Sequence, residues 1–160
     1  MKKKVILFLI ISIIVLGCSN DDVDESSNIN TGNNQENVYN NEYDYMVTLH
    51  LFGNETCPFC IDQLRWLDSI RYSHPHLVYY YHEVSENREL YQRVRDEFGI
   101  TNTGVPLTII GNYVYIGFNE TRSRRFLRDI SSLASRENCD VVATIIANGD
   151  VAACREQNEN

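Results

Sequence analysis

Two cysteines separated by two residues lie at the boundary between a predicted strand and a predicted helix. The segment before them, 46–52, is rich in β-branched, aromatic and aliphatic residues and predicts a strand. Pro58 follows Cys57, and proline is favoured at the first position of a helix. The Cys57-Pro58-Phe59-Cys60 motif therefore constrains the fold, because together with its flanking segments it predicts a βα unit in which both thiols lie at the helix N-terminus.

The rest of the chain alternates between strand-like and helix-like segments. The Gly111-Asn112 pair predicts a tight hairpin turn, and two strands joined by a crossover helix are expected to be parallel. The predicted order is β-α-β-α-β-β-α, an α/β fold with a mixed four-stranded sheet and helices on both faces. After the first helix the pattern predicts a strand at 77–83, a helix at 87–98, strands at 107–110 and 113–116, and a helix at 121–133.

The N-terminus has the features of an exported lipoprotein precursor. Three lysines, 2–4, precede an apolar run at 5–16, which is shorter than the about 20 residues of a transmembrane helix and fits a signal peptide. The sequence 15–18 resembles a bacterial lipobox, in which Cys18 is lipidated after residues 1–17 are removed. The alternatives are an ordinary signal peptide that leaves Cys18 as a free thiol, and an uncleaved anchor.

Composition divides the remaining chain into three parts. Residues 18–44 are mostly Asn, Asp, Ser and Glu, which predicts a disordered tether. An ordered domain is expected over 45–133, followed by a tail at 134–160. The net charge of −8 becomes −11 without the leader, since Lys2–Lys4 are the only lysines and 11 arginines then face 22 acidic residues. This acidity argues against a nucleic-acid partner, which requires Lys and Arg to neutralise phosphates.

The cysteine count fits an exported protein. Lipidation of Cys18 leaves four of the five cysteines, which is two pairs, in a compartment where disulfides persist. Asn148-Gly149 predicts a turn that brings Cys139 and Cys154 together, so we expect a structural disulfide between them. The alternatives are a second redox pair that relays electrons to the first, free thiols, or intermolecular bonds. The segment between these cysteines is compatible with a strand or a short helix.

The position of Cys57 suits redox chemistry. As the residue before a helix it lies beside unpaired backbone N–H groups and the positive end of the helix dipole, which favour a thiolate, the nucleophile of disulfide exchange. Half of a zinc site and a structural crosslink are the alternatives. A structural zinc site commonly uses two such pairs, and Cys139 and Cys154 form no second one. We therefore predict neither a metal nor a cofactor, and structural roles for the histidines.

Together these features resemble the thioredoxin superfamily. The resemblance covers about 45–133 and implies a thioredoxin-like fold and thiol-disulfide oxidoreductase activity on protein thiols and disulfides. It implies that Cys57 is the nucleophile and that Cys60 resolves the mixed disulfide. The matching parts are the strand 47–52, the Cys57–Cys60 motif, Gly104-Val105-Pro106 and the stretch 110–118. Further active-site and substrate-groove residues implied by the resemblance are Pro58, Phe59, Val105 and Pro106, the last in the cis form.

The chain also departs from the family pattern. Leu51 stands where thioredoxins carry a buried Asp that handles the proton of the second thiol, and Glu55, His50 or water are the candidate substitutes. Phe59 stands where strongly oxidising relatives often have His, so we expect a reducing potential. The sequence thus predicts an extracytoplasmic oxidoreductase anchored to a bacterial membrane, with a membrane redox partner it does not identify. The alternatives are a thioredoxin-like lipoprotein that binds partners without turnover, and a metal-handling lipoprotein that uses the same cysteines.

Overall fold

The structure of the protein, a computed structural model, describes residues 43–160. The predicted signal peptide, the lipidated Cys18 and nearly all of the predicted tether lie outside the described residues. The elements are β1 (Val47–Gly53), α1 (Pro58–Ile70), β2 (Leu77–Glu83), α2 (Arg88–Glu97), β3 (Leu107–Ile110), β4 (Tyr113–Ile116), α3 (Glu120–Ala134), α4 (Val141–Ile146) and α5 (Val151–Gln157).

The strands form one mixed sheet with the order β2-β1-β3-β4. β1 and β2 are parallel because α1 connects them as a crossover, whereas β3 is antiparallel to both β1 and β4. The predicted α/β architecture with a mixed four-stranded sheet is confirmed. The element order differs from the prediction at its end, since α4 and α5 follow the predicted final helix.

Side chains of β1 alternate between two cores because successive residues of a strand point to opposite faces. Leu49 and Leu51 pack on the side of the sheet that α1 and α3 cover, and Phe52 packs on the side that α2 and α4 cover. Helices therefore cover both faces. The first core also contains Leu67, Phe126 and Ile130, and the second contains Val94, Leu107, Ile109, Val142 and Ile145.

The segment after α3 is part of this compact unit, which extends to Asn160. The carboxylates of Asp140 and Asp150 accept hydrogen bonds from the backbone N–H groups of Ala143 and Ala153, and so cap α4 and α5. Val142 and its neighbours on α4 are buried in the second core. Residues 134–160, expected as a tail after the domain at 45–133, thus contribute apolar side chains to the second core.

Candidate functional site

Cys57 and Cys60 lie together on the first turn of α1. Cys57 is the N-cap residue, with extended backbone angles, and Pro58 begins the helix. The backbone N–H of Cys60 points at the Sγ atom of Cys57 across 3.4 Å. Asn54 fixes the preceding loop, since its carbonyl accepts the N–H of Cys57 and its side chain accepts that of Thr56. The loop after β1 therefore presents both thiols at one end of the sheet.

The two thiols differ in exposure. Both are free, but Cys57 is partly exposed whereas Cys60 is only 1% exposed. Burial, together with the side chain of Cys57, raises the pKa of the Cys60 thiol from 9.0 to about 12. Cys60 is therefore a neutral thiol near neutral pH, and Cys57 is the sulfur that an external disulfide can reach.

The start of the hairpin contacts the same cysteines. The Val105–Pro106 peptide bond is cis. The thiol of Cys57 donates a long hydrogen bond of 3.9 Å to the carbonyl oxygen of Val105. Pro106 is buried and Val105 is partly exposed, whereas Pro58 and Phe59 are exposed on the outer side of the helix turn, Phe59 at 58%. The structure thus places Val105, and with it Pro106, beside the helix turn that carries Cys57, Pro58, Phe59 and Cys60.

A carboxylate that the sequence analysis did not name lies at the same end of the sheet. Glu83, the last residue of β2, pairs in register with Gly53, the last residue of β1. The Tyr81 hydroxyl donates a hydrogen bond of 2.8 Å to Oε2 of Glu83, and the backbone N–H of Glu55 donates one of 3.0 Å to the same oxygen. Only the register of β1 against β2 places Glu83 here, and the sequence pattern does not specify that register.

Two residues that the sequence analysis names as candidate acceptors for the Cys60 proton, His50 and Glu55, have other positions in the structure. His50 points to the opposite side of the sheet, where its ring bonds to His82 and Asp140. Glu55 has an exposed side chain and contributes its backbone N–H to Glu83. Leu51, one residue after His50, is fully buried in the first core. The carboxylate that hydrogen-bonds to the backbone of the loop leading to Cys57 is that of Glu83.

Cys139 and Cys154, the pair expected to be linked, form a disulfide with their Cα atoms 5.4 Å apart. Thr144 of α4 lies against both sulfurs, with its Oγ1 atom 3.3 Å from Sγ of Cys154 and 3.6 Å from Sγ of Cys139. The disulfide therefore links the start of α4 to α5, on the side of the sheet opposite α1.

Within residues 43–160, no group of three or more His, Cys, Asp or Glu side chains is arranged to hold a metal ion. None of the helices in this range combines the length and the apolar character needed to cross a bilayer.

In comparisons with known proteins, no protein-family model and no curated protein matches the chain.

Proposed function

We propose that this protein is a thiol-disulfide oxidoreductase with a thioredoxin-like fold, and that Cys57 and Cys60 are its redox pair. One observation carries the proposal: two free thiols of unequal exposure share the first turn of α1, and the outer one contacts the Val105 carbonyl. A structural crosslink would not require this difference in exposure. Nucleophilic exchange does, because the attacking sulfur must be accessible and the resolving sulfur must be shielded from other disulfides.

The reaction proceeds in two exchange steps. The Cys57 thiolate attacks one sulfur of a substrate disulfide, which forms a mixed disulfide and releases the other substrate sulfur as a thiolate that takes a proton from water. Cys60 then loses its proton and attacks Sγ of Cys57. The Cys57–substrate bond breaks, the second substrate thiol leaves, and two electrons have passed from the protein to the substrate. The reverse sequence oxidises a substrate dithiol.

The surroundings of Cys57 suit an extended protein segment. Phe59 offers an exposed aromatic surface beside the cysteines, and Val105 carries a backbone carbonyl within reach of the Cys57 sulfur. Together with Pro58 and Pro106 they form the proposed substrate groove. Its ligands are protein thiols and disulfides, because the chemistry at its centre is sulfur exchange.

The proposed location is the extracytoplasmic side of a bacterial membrane. This part of the proposal rests on the sequence 1–18, with Cys18 as the lipidated residue, and on residues 18–44 as the tether. A lipid anchor keeps the domain close to a membrane redox partner that restores the Cys57–Cys60 pair after each turnover.

Insulin reduction by dithiothreitol tests the activity. The protein is expected to accelerate precipitation of the insulin B chain, and Cys57→Ser is expected to abolish the acceleration. Cys139→Ala/Cys154→Ala, which spares the proposed pair but is expected to be less stable, serves as the cysteine control at a temperature where it is folded. A protein that binds partners without exchange, or that handles metals, would give no acceleration. The reduction potential of the Cys57–Cys60 pair then gives the direction of electron transfer. A value of about −270 mV indicates a reductant of substrates, and a value of about −120 mV indicates an oxidant.

A further inference from the structure

The end of β1 is packed closely on the side that faces Cys60. Gly53 has no side chain there, and a Cβ atom on it would lie 3.3 Å from Sγ of Cys60 and 2.8 Å from the Tyr81 ring. The buried thiol and the aromatic ring of β2 therefore flank the same glycine. Tyr81 and Glu83 are two residues apart on β2, so their side chains project from the same face of the strand.

Three donors hold the Glu83 carboxylate in place. The Tyr81 hydroxyl and the backbone N–H of Glu55 both bond to Oε2, and the Ser85 hydroxyl donates to Oε1 across 3.2 Å. The Tyr81 hydrogen bond, followed by these others, holds the pKa of Glu83 below its usual value. The group is therefore a fixed negative charge at neutral pH, against the loop that leads to Cys57.

We propose that Glu83, positioned by Tyr81, is an electrostatic brake on the resolving thiol: its negative charge disfavours the Cys60 thiolate and so prolongs the mixed disulfide on Cys57. The inference rests on the proposed function and concerns the second exchange step. A carboxylate that holds its proton so weakly is a poor acceptor for the proton of a buried thiol, so its charge, rather than its basicity, acts on Cys60. The proton of Cys60 passes to water as the thiolate attacks Sγ of Cys57.

The ionisable groups around Cys60 come from two elements and one loop. Cys57 is the N-cap of the same helix, and Tyr81 and Glu83 lie on β2. Glu55, in the loop between β1 and α1, is exposed and acts on Tyr81. Both Cys57 and Glu83 disfavour the negative charge on Cys60. Burial, then the hydrogen bond to Glu83 and its charge, raise the pKa of Tyr81, and Cys60 adds to this effect. When Cys57 is held in a mixed disulfide its charge is gone, and Glu83 remains as the carboxylate that opposes the thiolate.

Two-phase kinetics with dithiodipyridine, an uncharged aromatic disulfide, test the inference on the reduced protein. Attack by Cys57 releases one thiopyridone, and resolution by Cys60 releases the second. Glu83→Gln keeps an acceptor oxygen for Tyr81 but removes the charge. Removal of the charge is expected to lower the pKa of Cys60, which burial chiefly raises, and so to increase its thiolate fraction. Nucleophilicity falls with pKa, so the second phase is expected to accelerate by less than the thiolate fraction rises, up to about threefold.

Two further variants separate a local effect from a general one. Glu86→Gln removes an equal charge from an exposed residue three positions along the chain and is expected to leave the second phase unchanged. Tyr81→Phe keeps the carboxylate but removes the hydroxyl that fixes it, and is expected to give an intermediate rate. It also serves as the test if Glu83→Gln does not fold.

The pH dependence of the second phase distinguishes an effect of the Glu83 charge from a purely structural role of this residue, which would leave the pH dependence unchanged. Its midpoint is expected at lower pH in Glu83→Gln than in the unchanged protein. A slower second phase in Glu83→Gln would identify the carboxylate as a proton acceptor and would contradict the proposal. An unchanged rate together with an unchanged midpoint would also contradict it, because the charge would then have no effect on Cys60. If both phases occur but insulin is not reduced, the proposed function fails while the effect of Glu83 on Cys60 is still measured.

Discussion

The Nδ1 atom of His50 lies 2.9 Å from Nε2 of His82, and the second ring nitrogen of His50 lies 3.0 Å from a carboxylate oxygen of Asp140. These three side chains come from β1, from β2 and from the N-cap of α4. His82 also stacks on the ring of Phe52. The hydrogen bonds among His50, His82 and Asp140 therefore connect β1 and β2 to the start of α4, on the side of the sheet away from α1.

Acidification is expected to destabilise the fold through His82. Burial, and then the neighbouring His50, lower the pKa of His82 from 6.5 to about 4. Between these values the unfolded chain binds a proton that the folded chain does not. Stability is therefore fully present above the unfolded pKa and falls as the pH drops through this window, by up to about 1.4 kcal/mol per pH unit. Urea unfolding at a series of pH values measures the slope.

His82→Gln is the matched variant for this prediction. Its free energy of unfolding is expected to depend less steeply on pH between about 6.5 and 4 than that of the unchanged protein. Burial also lowers the pKa of His76, so His76 contributes to the pH dependence of stability as well. His76 is present both in the unchanged protein and in His82→Gln, so its contribution cancels in the comparison. The difference between the two slopes isolates His82. Parallel slopes would show that His82 does not stay neutral in the folded state.

Removal of the Cys139–Cys154 disulfide is expected to destabilise the whole domain. Cys139 and Cys154 are 15 residues apart and enclose α4, which contributes Val142 and Ile145 to the second core. The chain-entropy model assigns a loop of this length about 3 kcal/mol. Cys139→Ala/Cys154→Ala is therefore expected to lower the free energy of unfolding by that order in urea titrations.

Peptide mapping after mild reduction distinguishes a structural disulfide from a relay. A structural Cys139–Cys154 bond is expected to survive a reductant that opens Cys57–Cys60. Exchange of Cys139 or Cys154 with either of the other cysteines during turnover would assign the second pair to electron transfer instead.

Limiting iodoacetamide is expected to label Cys57 before Cys60 in the reduced protein. Cys57 is partly exposed, whereas Cys60 is buried and has a pKa raised to about 12, chiefly by burial. Mass spectrometry of the digested protein gives the order of labelling, and Cys57→Ser shows whether Cys60 reacts when it is alone. Faster labelling of Cys60 in the unchanged protein would reverse the two roles. With Cys60→Ser, mixed disulfides on Cys57 are expected to accumulate.

The sequence predicts the sheet well but the surroundings of the site only in part. The strands 77–83, 107–110 and 113–116 have the predicted bounds, because runs of β-branched and aromatic residues end at clear turn signals. The six residues of α4 are too few for periodicity to separate a helix from a strand. Glu83 was missed for another reason: its proximity to Gly53 depends on the register of two strands that are distant in sequence.

A buried polar pair beside the cysteines also escapes sequence analysis. Gln63 lies one turn after Cys60 on α1, and its Nε2 atom donates a hydrogen bond of 2.7 Å to Oγ1 of Thr108 on β3. Both side chains are fully buried, and Oε1 of Gln63 has no partner among the described residues. An exposed face is the usual place for Gln, so only the packing of α1 on β3 reveals the pair.

Loss of one member of this pair is expected to cost more than replacement of both. Thr108→Val keeps the shape of the side chain but leaves the Gln63 amide without its acceptor, which is expected to destabilise the fold by about 1–3 kcal/mol. Gln63→Met/Thr108→Val replaces both polar groups with apolar ones of similar size and is expected to be more stable than Thr108→Val alone. Urea unfolding of the two single variants and the double variant gives the coupling energy. A double variant less stable than Thr108→Val would show that the Gln63 amide has another stabilising partner.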